Sequence, residues 1–326
     1  MTSPSGLTDS FGRRIDYLRI SVTERCDLRC AYCHPQQRPS SERPDVLAPT
    51  DIAVIAEAAL QLGVRRIRLT GGEPLLRADL EDILSRLRAL PGIEDLSLTT
   101  NGQTLAARAA GLVAAGLMRV NVSLDSLDPE VYAAITGGGD VSAVLRGLDA
   151  SLAAGLAPVK VNVVITSPRS LDRANLPGFA DLIRRHPIHV RFIEAMPTCS
   201  HAAYLPAERL LDRFSEIGRL RPAPGPDGGG PARYFQLHGS QGTIGIITPI
   251  SDPFCARCNR LRVTARADLV PCLFSPAGVS LLPALHGERP VADIADLIRQ
   301  AAADKPCRYG DVAAASGISA MHVIGG

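Results

Sequence analysis

The stretch Cys26-Asp27-Leu28-Arg29-Cys30-Ala31-Tyr32-Cys33 carries three thiols spaced C-x3-C-x2-C. It follows a strand-like run, Tyr17-Leu18-Arg19-Ile20-Ser21-Val22, so the thiols fall in the loop that leaves the C-terminal end of that strand. Three closely spaced thiolates can bind three irons of a cubane cluster and leave the fourth iron open to a substrate or cofactor. A zinc site would need a fourth Cys or His in tetrahedral geometry. His34 is adjacent, but it follows Cys33 without a spacer, which makes a shared ion awkward. Spacing favours the cluster and leaves zinc open.

Downstream, strand-like and helix-like segments alternate. The strand runs are Tyr17–Val22, Arg66–Thr70, Asp95–Thr99, Arg119–Leu124, Val159–Ile165 and Ile188–Glu194, with helical patterns near 50–62, 78–90, 104–116, 141–155 and 172–185. Thr50-Asp51 and Asp128-Pro129 read as helix starts. This order predicts right-handed βαβ units and a parallel sheet, α/β in class. Six units suggest an incomplete TIM-like barrel; an open doubly wound sheet is the alternative. The unusual polar residues Gly71-Gly72-Glu73-Pro74, Thr100-Asn101-Gly102, Asp125-Ser126 and Glu194-Ala195-Met196 fall at or beyond strand C-termini, where such barrels assemble active sites. Gly, Asn and Asp also make ordinary turns, but that does not account for Glu73 between Gly and Pro.

Three divisions follow: a loose arm over 1–15, a barrel core over 16–230, and a smaller α+β region over 231–326 that covers the open side. The Pro/Gly run Arg221–Pro231 reads as a flexible or extended linker after a helix over Pro206–Gly218.

At 326 residues the chain can bury a large core, and no eighteen-residue stretch is apolar enough to suggest a membrane span. The first residues lack the basic and apolar regions of a secretory signal, so the eight cysteines read as metal ligands in a reducing, cytoplasmic compartment. A formal charge of +2 argues against a broad nucleic-acid surface. Of 35 basic residues only Lys160 and Lys305 are lysine. Lys160, in mid-strand, is therefore a candidate for a position needing a compact ammonium. Lys305 reads as a chance survivor.

A second group, Cys255-x2-Cys258-x13-Cys272, resembles part of a zinc ribbon with one ligand missing, for which Cys199, His286 or Cys307 could serve. Beside it, Arg260 and Arg262 alternate along a strand-like run and face one side. Arg19, Arg68 and Lys160 also sit in strand interiors, where unpaired cations are costly and a polyanion would supply counter-charge.

The triplet together with Gly71-Gly72-Glu73-Pro74 resembles the radical S-adenosylmethionine (SAM) enzymes. Leu18–Cys26, Arg68–Arg77, Thr99-Thr100-Asn101-Gly102, Val122-Ser123-Leu124-Asp125, Arg191-Phe192-Ile193-Glu194, Phe254–Arg262 and Gly325-Gly326 extend the resemblance to the GTP 3',8-cyclase (MoaA) family of molybdenum cofactor biosynthesis, from about Asp16 onward. The resemblance implies two [4Fe–4S] clusters, one on Cys26, Cys30 and Cys33 and one on Cys255, Cys258 and Cys272. It implies SAM contacts at Tyr32, Gly72, Glu73, Ser123 and Met196, with the glycines letting backbone approach the methionine amino group. It implies GTP contacts at Arg19, Arg68, Thr99, Lys160, Arg260, Leu261 and Arg262, with Arg66, Arg191 and the Gly325-Gly326 tail as further GTP-binding or catalytic candidates. The implied reaction starts with a 5'-deoxyadenosyl radical taking the C3' hydrogen of GTP. It ends in 3',8-cyclo-7,8-dihydro-GTP, the first step toward molybdopterin. An external one-electron donor, a homodimer and a downstream pyranopterin synthase are the implied partners. His34 stands where the family carries Met, Arg66 where it often carries Lys, and Thr198-Cys199-Ser200-His201 diverges. The competing readings are a peptide-modifying radical SAM maturase, which needs no triphosphate-binding arginines, and a zinc-stapled GTP-binding module. A Walker-type phosphate loop is absent from the sequence.

Overall fold

The computed structural model describes residues 6–33, 47–166, 175–196, 207–275 and 278–313. His34, Cys199 and the Gly325-Gly326 tail lie outside the described residues.

The first half alternates as the pattern requires: β1 (Tyr17–Ser21), α1 (Pro49–Gln61), β2 (Arg66–Thr70), α2 (Leu80–Ala89), β3 (Asp95–Thr100), α3 (Leu105–Ala114) and β4 (Arg119–Ser123). It continues with α4 (Pro129–Thr136), α5 (Val141–Ala153), β5 (Val159–Ile165), α6 (Asn175–Arg185) and β6 (Ile188–Glu194). Capping chemistry sets several starts. Asp128 caps α4 by accepting from the Glu130 and Val131 amides, with Pro129 preset in the first turn. In α1 the cap is Ala48, one residue before Pro49. Thr50 and Asp51 lie inside the first turn, and the Asp51 carboxylate reaches back to the Ala48 amide.

The second half adds α7 (Ala207–Ile217), β7 (Leu220–Ala223), β8 (Arg233–Leu237), β9 (Thr243–Ile247), β10 (Arg260–Val263), β11 (Asp268–Val270), β12 (Val279–Ser280), α8 (Leu282–Leu285), α9 (Pro290–Ala303) and α10 (Gly310–Ala313). The twelve strands of the described residues form one sheet, ordered β12-β11-β10-β1-β2-β3-β4-β5-β6-β9-β8-β7, and the eight from β10 to β9 run parallel. The C-terminal region therefore extends both edges of the six-stranded core: β10 joins β1, and β9 joins β6.

Side-chain parity shows how the sheet is used. Leu18, Ile20, Ile67, Leu69, Leu96, Leu98, Val120, Val122, Val161, Val163, Leu261 and Val263 face one side and pack into the apolar core under the helices. The alternate positions, Tyr17, Arg19, Arg68, Asn162, Arg191, Arg260 and Arg262, line a single cavity on the other side. In a flat sheet β10 and β9 would stand roughly 34 Å apart, seven steps of about 4.8 Å. One cavity nonetheless touches Arg260 of β10 and Ile247 of β9, so the sheet curls into a partial barrel with a polar interior. Among the described residues no pairing joins β12 to β7, and the barrel stays open there. A doubly wound sheet would carry helices on the face that here holds the cavity.

Two segments are more ordered than composition suggested. Residues 6–15 dock on the body: Leu7 donates to the Leu62 carbonyl over 2.9 Å, Ile15 is fully buried, and Asp9 pairs with Arg13. The Pro/Gly run begins as strand β7, which pairs with β8. It then passes under the starts of β4 and β5, where Lys160 Nζ donates to the Asp227 carbonyl over 2.7 Å.

Candidate active site

The first cysteine loop is fastened from three directions. The Arg29 and Ala31 amides donate to the carbonyls of Thr136 and Ile135 at the end of α4, over 2.8 and 2.9 Å. Tyr32 donates its hydroxyl to Asp125 Oδ2 over 2.8 Å, and Asp125 Oδ1 accepts from the Val164 amide at 2.8 Å. Asp125 thus ties the triplet to the ends of β4 and β5. Burial raises its pKa to about 6, opposed by those two hydrogen bonds.

The Gly71-Gly72 pair completes the clamp. The Gly72 and Glu73 amides both donate over 2.7 Å, to the Thr23 and Arg25 carbonyls. A Cβ on Gly71 would sit 2.5 Å from the Thr23 oxygen, and one on Gly72 would sit 2.2 Å from the Arg25 oxygen. The glycines are therefore required for close approach to the cysteine loop itself. Glu73 is buried and accepts from the Leu75 amide (2.9 Å), the Thr100 hydroxyl (2.7 Å) and the Asn101 amide (2.7 Å). Burial lifts it to about pH 7 against those three bonds.

None of the six candidate cluster cysteines is in a disulfide. Among the described residues no three His, Cys, Asp or Glu side chains converge as a single ion requires. A cubane distributes its thiolates over separate irons, so the donor set of each triplet fits a cluster on chemistry and number. The two triplets differ in surroundings. Burial raises Cys26 to about 12, reinforced by Glu73 and Asp27. Cys30 is also raised by burial, then by Asp125. At Cys258 burial acts the same way, but Lys305, Arg260 and Arg262 outweigh it and lower the pKa. The first cluster site is acidic and the second cationic.

Cys255, Cys258 and Cys272 line the cavity of about 190 Å³, facing Met196 and the inward side chains of the barrel. Arg68 donates to Ser97 Oγ at 3.2 Å, and Arg191 donates to Asn162 Oδ1 at 2.6 Å, both neutral acceptors. Arg119 is neutralised by Asp95 in a buried ion pair. Desolvation lowers Arg68 to about 9 and Arg262 to about 10, and neighbouring arginines push the same way. Lys160, with no exposed surface, falls to about 6 through burial and then Arg191, Arg119 and Arg68. Arg191 Nε and Arg260 Nε are buried with no hydrogen-bond partner among the described residues, and the buried Tyr17 hydroxyl, approached by Arg119, has no acceptor there for its own proton. A wall of desolvated cations with unused donors is built for an anion with many acceptor oxygens.

Of the residues singled out from sequence, Arg19, Arg68, Arg191, Arg260, Arg262 and Met196 line this cavity. Leu261 turns its side chain into the core, leaving only backbone toward the site. Thr99 is half-buried in register with Asn121, whose Nδ2 lies 3.4 Å from its hydroxyl. Ser123 pairs with Asn162 at the C-terminal end of β4. Arg66 lies 4.0 Å from Asp16 at the start of β2. Gly72, Glu73 and Tyr32 belong to the first cysteine loop and its clamp.

Three positions have structural ties that the sequence reading did not give them. Asp125 was marked as a polar residue at a strand end, without its bond to Tyr32. Tyr17 read simply as the first residue of a strand. Lys305 read as chance, yet it is 3% exposed and donates to the Arg260 and Pro271 carbonyls, which flank Cys258 and Cys272. Its signal was the lysine scarcity already noted for Lys160.

A parallel partial barrel whose first loop holds C-x3-C-x2-C defines a radical SAM protein. The Radical SAM superfamily model matches residues 20–183, and that of Molybdenum Cofactor Synthesis C matches 188–310. The GTP 3',8-cyclase of Moorella thermoacetica is 44% identical over 308 residues, covering 93% of this chain and 95% of its own. That of Pelotomaculum thermopropionicum is 45% identical over 310 residues, with the same coverage. Among solved structures, Streptococcus suis SuiB overlays with a TM-score of 0.61 at 15% identity, covering 92% of this chain and 68% of that one, a likeness of fold alone. The chain belongs to the GTP 3',8-cyclase family.

Proposed function

We infer that this chain converts GTP to (8S)-3',8-cyclo-7,8-dihydroguanosine 5'-triphosphate, the first step of molybdopterin biosynthesis. The observation that carries the reading is the cavity that desolvated arginines and the second cysteine triplet line together. The arginines suit a triphosphate and the triplet a cluster-anchored base. When bound, the N-terminal cluster and SAM supply a primary carbon radical. The reaction breaks the ribose C3'–H bond, the hydrogen passing to that carbon radical, and joins C3' to C8 of guanine; one electron from the external donor and one proton complete the 7,8-dihydro base.

The chain's own contribution is position and dryness, because such a radical attacks any nearby C–H bond. Cys26, Cys30 and Cys33 hold the first cluster, and Glu73, Asp125 and the glycine pair keep their loop fixed. Tyr32, Ser123 and Met196 border the SAM position. Arg19, Arg68, Arg260 and Arg262, with Lys160, Arg191 and Arg66, hold the phosphates, and Thr99 the nucleoside. Cys255, Cys258 and Cys272 hold the second cluster against guanine. The reading includes an external one-electron donor, a homodimer and transfer of the labile product to a downstream synthase, all supported by family kinship. It places the enzyme in the cytoplasm; no helix among the described residues is long and apolar enough to cross a membrane.

The test is metal analysis of anaerobically reconstituted protein, paired with a GTP-dependent deoxyadenosine assay. Two clusters hold about eight irons per chain, and GTP should stimulate SAM cleavage. Zinc in the second site would remove the guanine anchor, and cleavage indifferent to GTP would favour another radical SAM substrate.

A further inference from the structure

We propose that Tyr17 is a substrate contact: its hydroxyl donates to a phosphate oxygen of GTP, and its ring holds the Arg68 and Arg260 guanidiniums that flank the triphosphate. The proposal rests on reading the cavity as the GTP site. Tyr17 is 6% exposed and lines the cavity; its hydroxyl oxygen is approached by the Arg119 guanidinium, a donor, so its own proton has no acceptor within hydrogen-bonding distance among the described residues. An unmade bond at a buried hydroxyl costs about 1–3 kcal/mol, which a ligand oxygen would recover.

Position on the sheet explains why this residue and no other fills the role. Tyr17 stands on β1 opposite Arg260 of β10 on one side and Arg66 of β2 on the other. The Arg68 guanidinium lies 5.5 Å from the Tyr17 ring centre and that of Arg260 lies 5.9 Å away; Arg260 also caps the Phe254 ring at 5.5 Å. The ring is an attractive spacer between two cations that would otherwise repel each other across the cavity wall. A further cation here would deepen that repulsion, whereas a neutral phenol adds a donor without charge.

The electrostatics agree with the geometry. Burial alone would raise the phenol, yet Arg68, Arg19, Arg119 and Arg260 bring it down to about 8. Arg191 and Arg262 stand within the same field, and the carboxylate of Asp95 is occupied by Arg119. A more acidic phenol makes a stronger bond to a phosphate oxygen.

The test compares the reconstituted enzyme with Tyr17→Phe and Tyr17→Leu, iron content and thermal midpoint being measured as folding controls. Losing one hydrogen bond to a charged oxygen should raise KM for GTP about tenfold while kcat changes less than about twofold. Inorganic tripolyphosphate, used as a competitor, should weaken by about the same factor. The Leu variant, which loses the spacer as well, should bind GTP more weakly still. Wild-type kcat/KM should fall as pH rises through about 8, and Tyr17→Phe should lack that limb. Unchanged KM and tripolyphosphate inhibition in a GTP-active Tyr17→Phe enzyme would overturn the role of Tyr17 alone. A wild-type enzyme whose SAM cleavage ignores GTP would overturn the GTP reading and this proposal with it.

Discussion

Lys305 Nζ lies 2.6 Å from the carbonyl oxygen of Pro271, the residue immediately before Cys272. The same ammonium reaches the Arg260 carbonyl, two residues after Cys258, over 2.9 Å. Arg13 completes the arrangement with a 2.8 Å bond to the Cys255 carbonyl, and it also holds the carbonyls of Pro306 and Cys307. All three cysteines of the second triplet are therefore fixed by buried cations on backbone oxygens at or beside them. Lys305→Met leaves two buried carbonyls unpaired, at about 1–3 kcal/mol each. The expected outcome is loss of roughly half the iron, with SAM cleavage at the first cluster retained and GTP stimulation lost. Full iron content in that variant would show that the clip is dispensable.

Gly72→Ala separates two roles for the glycine pair. If the glycine served only to admit the SAM amino group, the variant would load its first cluster and fail later. The 2.2 Å clash with the Arg25 oxygen predicts an earlier failure, because that atom is backbone of the cysteine loop and cannot swing aside. Absorbance and iron should fall to the level of a Cys30→Ser variant before any SAM is added. A fully loaded first cluster would return the glycine to its ligand-admitting role.

Glu73 makes a pH prediction with a definite sign. Its folded pKa, about 7, lies above the ordinary value of 4.5, so the folded chain binds the proton more tightly than the unfolded one. Stability should then decline as pH rises from about 4.5 to about 7, and level off above that range. In Glu73→Gln the limb should vanish. At pH 8 the variant should melt lower, because an amide offers one acceptor oxygen where the carboxylate serves Leu75, Thr100 and Asn101. Thermal midpoints of both proteins from pH 5 to 8 decide it; parallel curves would mean that Glu73 is not the titrating group.

The same residues show what the sequence discloses and what it withholds. The six core strands and the helices between them were legible because apolar residues alternate on one parity and caps such as Asp128-Pro129 are local. The cysteine triplets were legible because ligand spacing is short-range. Lys305 was not, since its partners lie 34 and 45 residues away and exist only once β10 and β11 are paired. Order in Asp227–Gly230 was equally hidden, because composition reports the turn propensity of glycine and proline and says nothing of the buried Lys160 that the loop meets. Tyr17 shows a third limit: whether a buried hydroxyl finds an acceptor for its proton is a property of packing and leaves no mark in a strand pattern.

Lys160 supplies the last prediction, and it is thermodynamic. Its ammonium is fully buried among Arg191, Arg119 and Arg68, and with only the Asp227 carbonyl as acceptor among the described residues its pKa falls to about 6. Near pH 7.5 the ligand-free enzyme therefore holds this amine largely uncharged. A triphosphate placed against the same wall reverses the balance, because opposite charge favours the protonated form. GTP binding should then take up a proton at Lys160, seen as a dependence of calorimetric binding enthalpy on the ionisation enthalpy of the buffer. Ionisation of the γ-phosphate contributes in every variant, so the comparison is with Lys160→Met. That variant should bind more weakly and show smaller proton uptake at pH 7.5, with the difference closing toward pH 5, where the free amine is already charged. Identical uptake in the two proteins would place Lys160 outside the phosphate's reach and leave it as the anchor of the Asp227 loop.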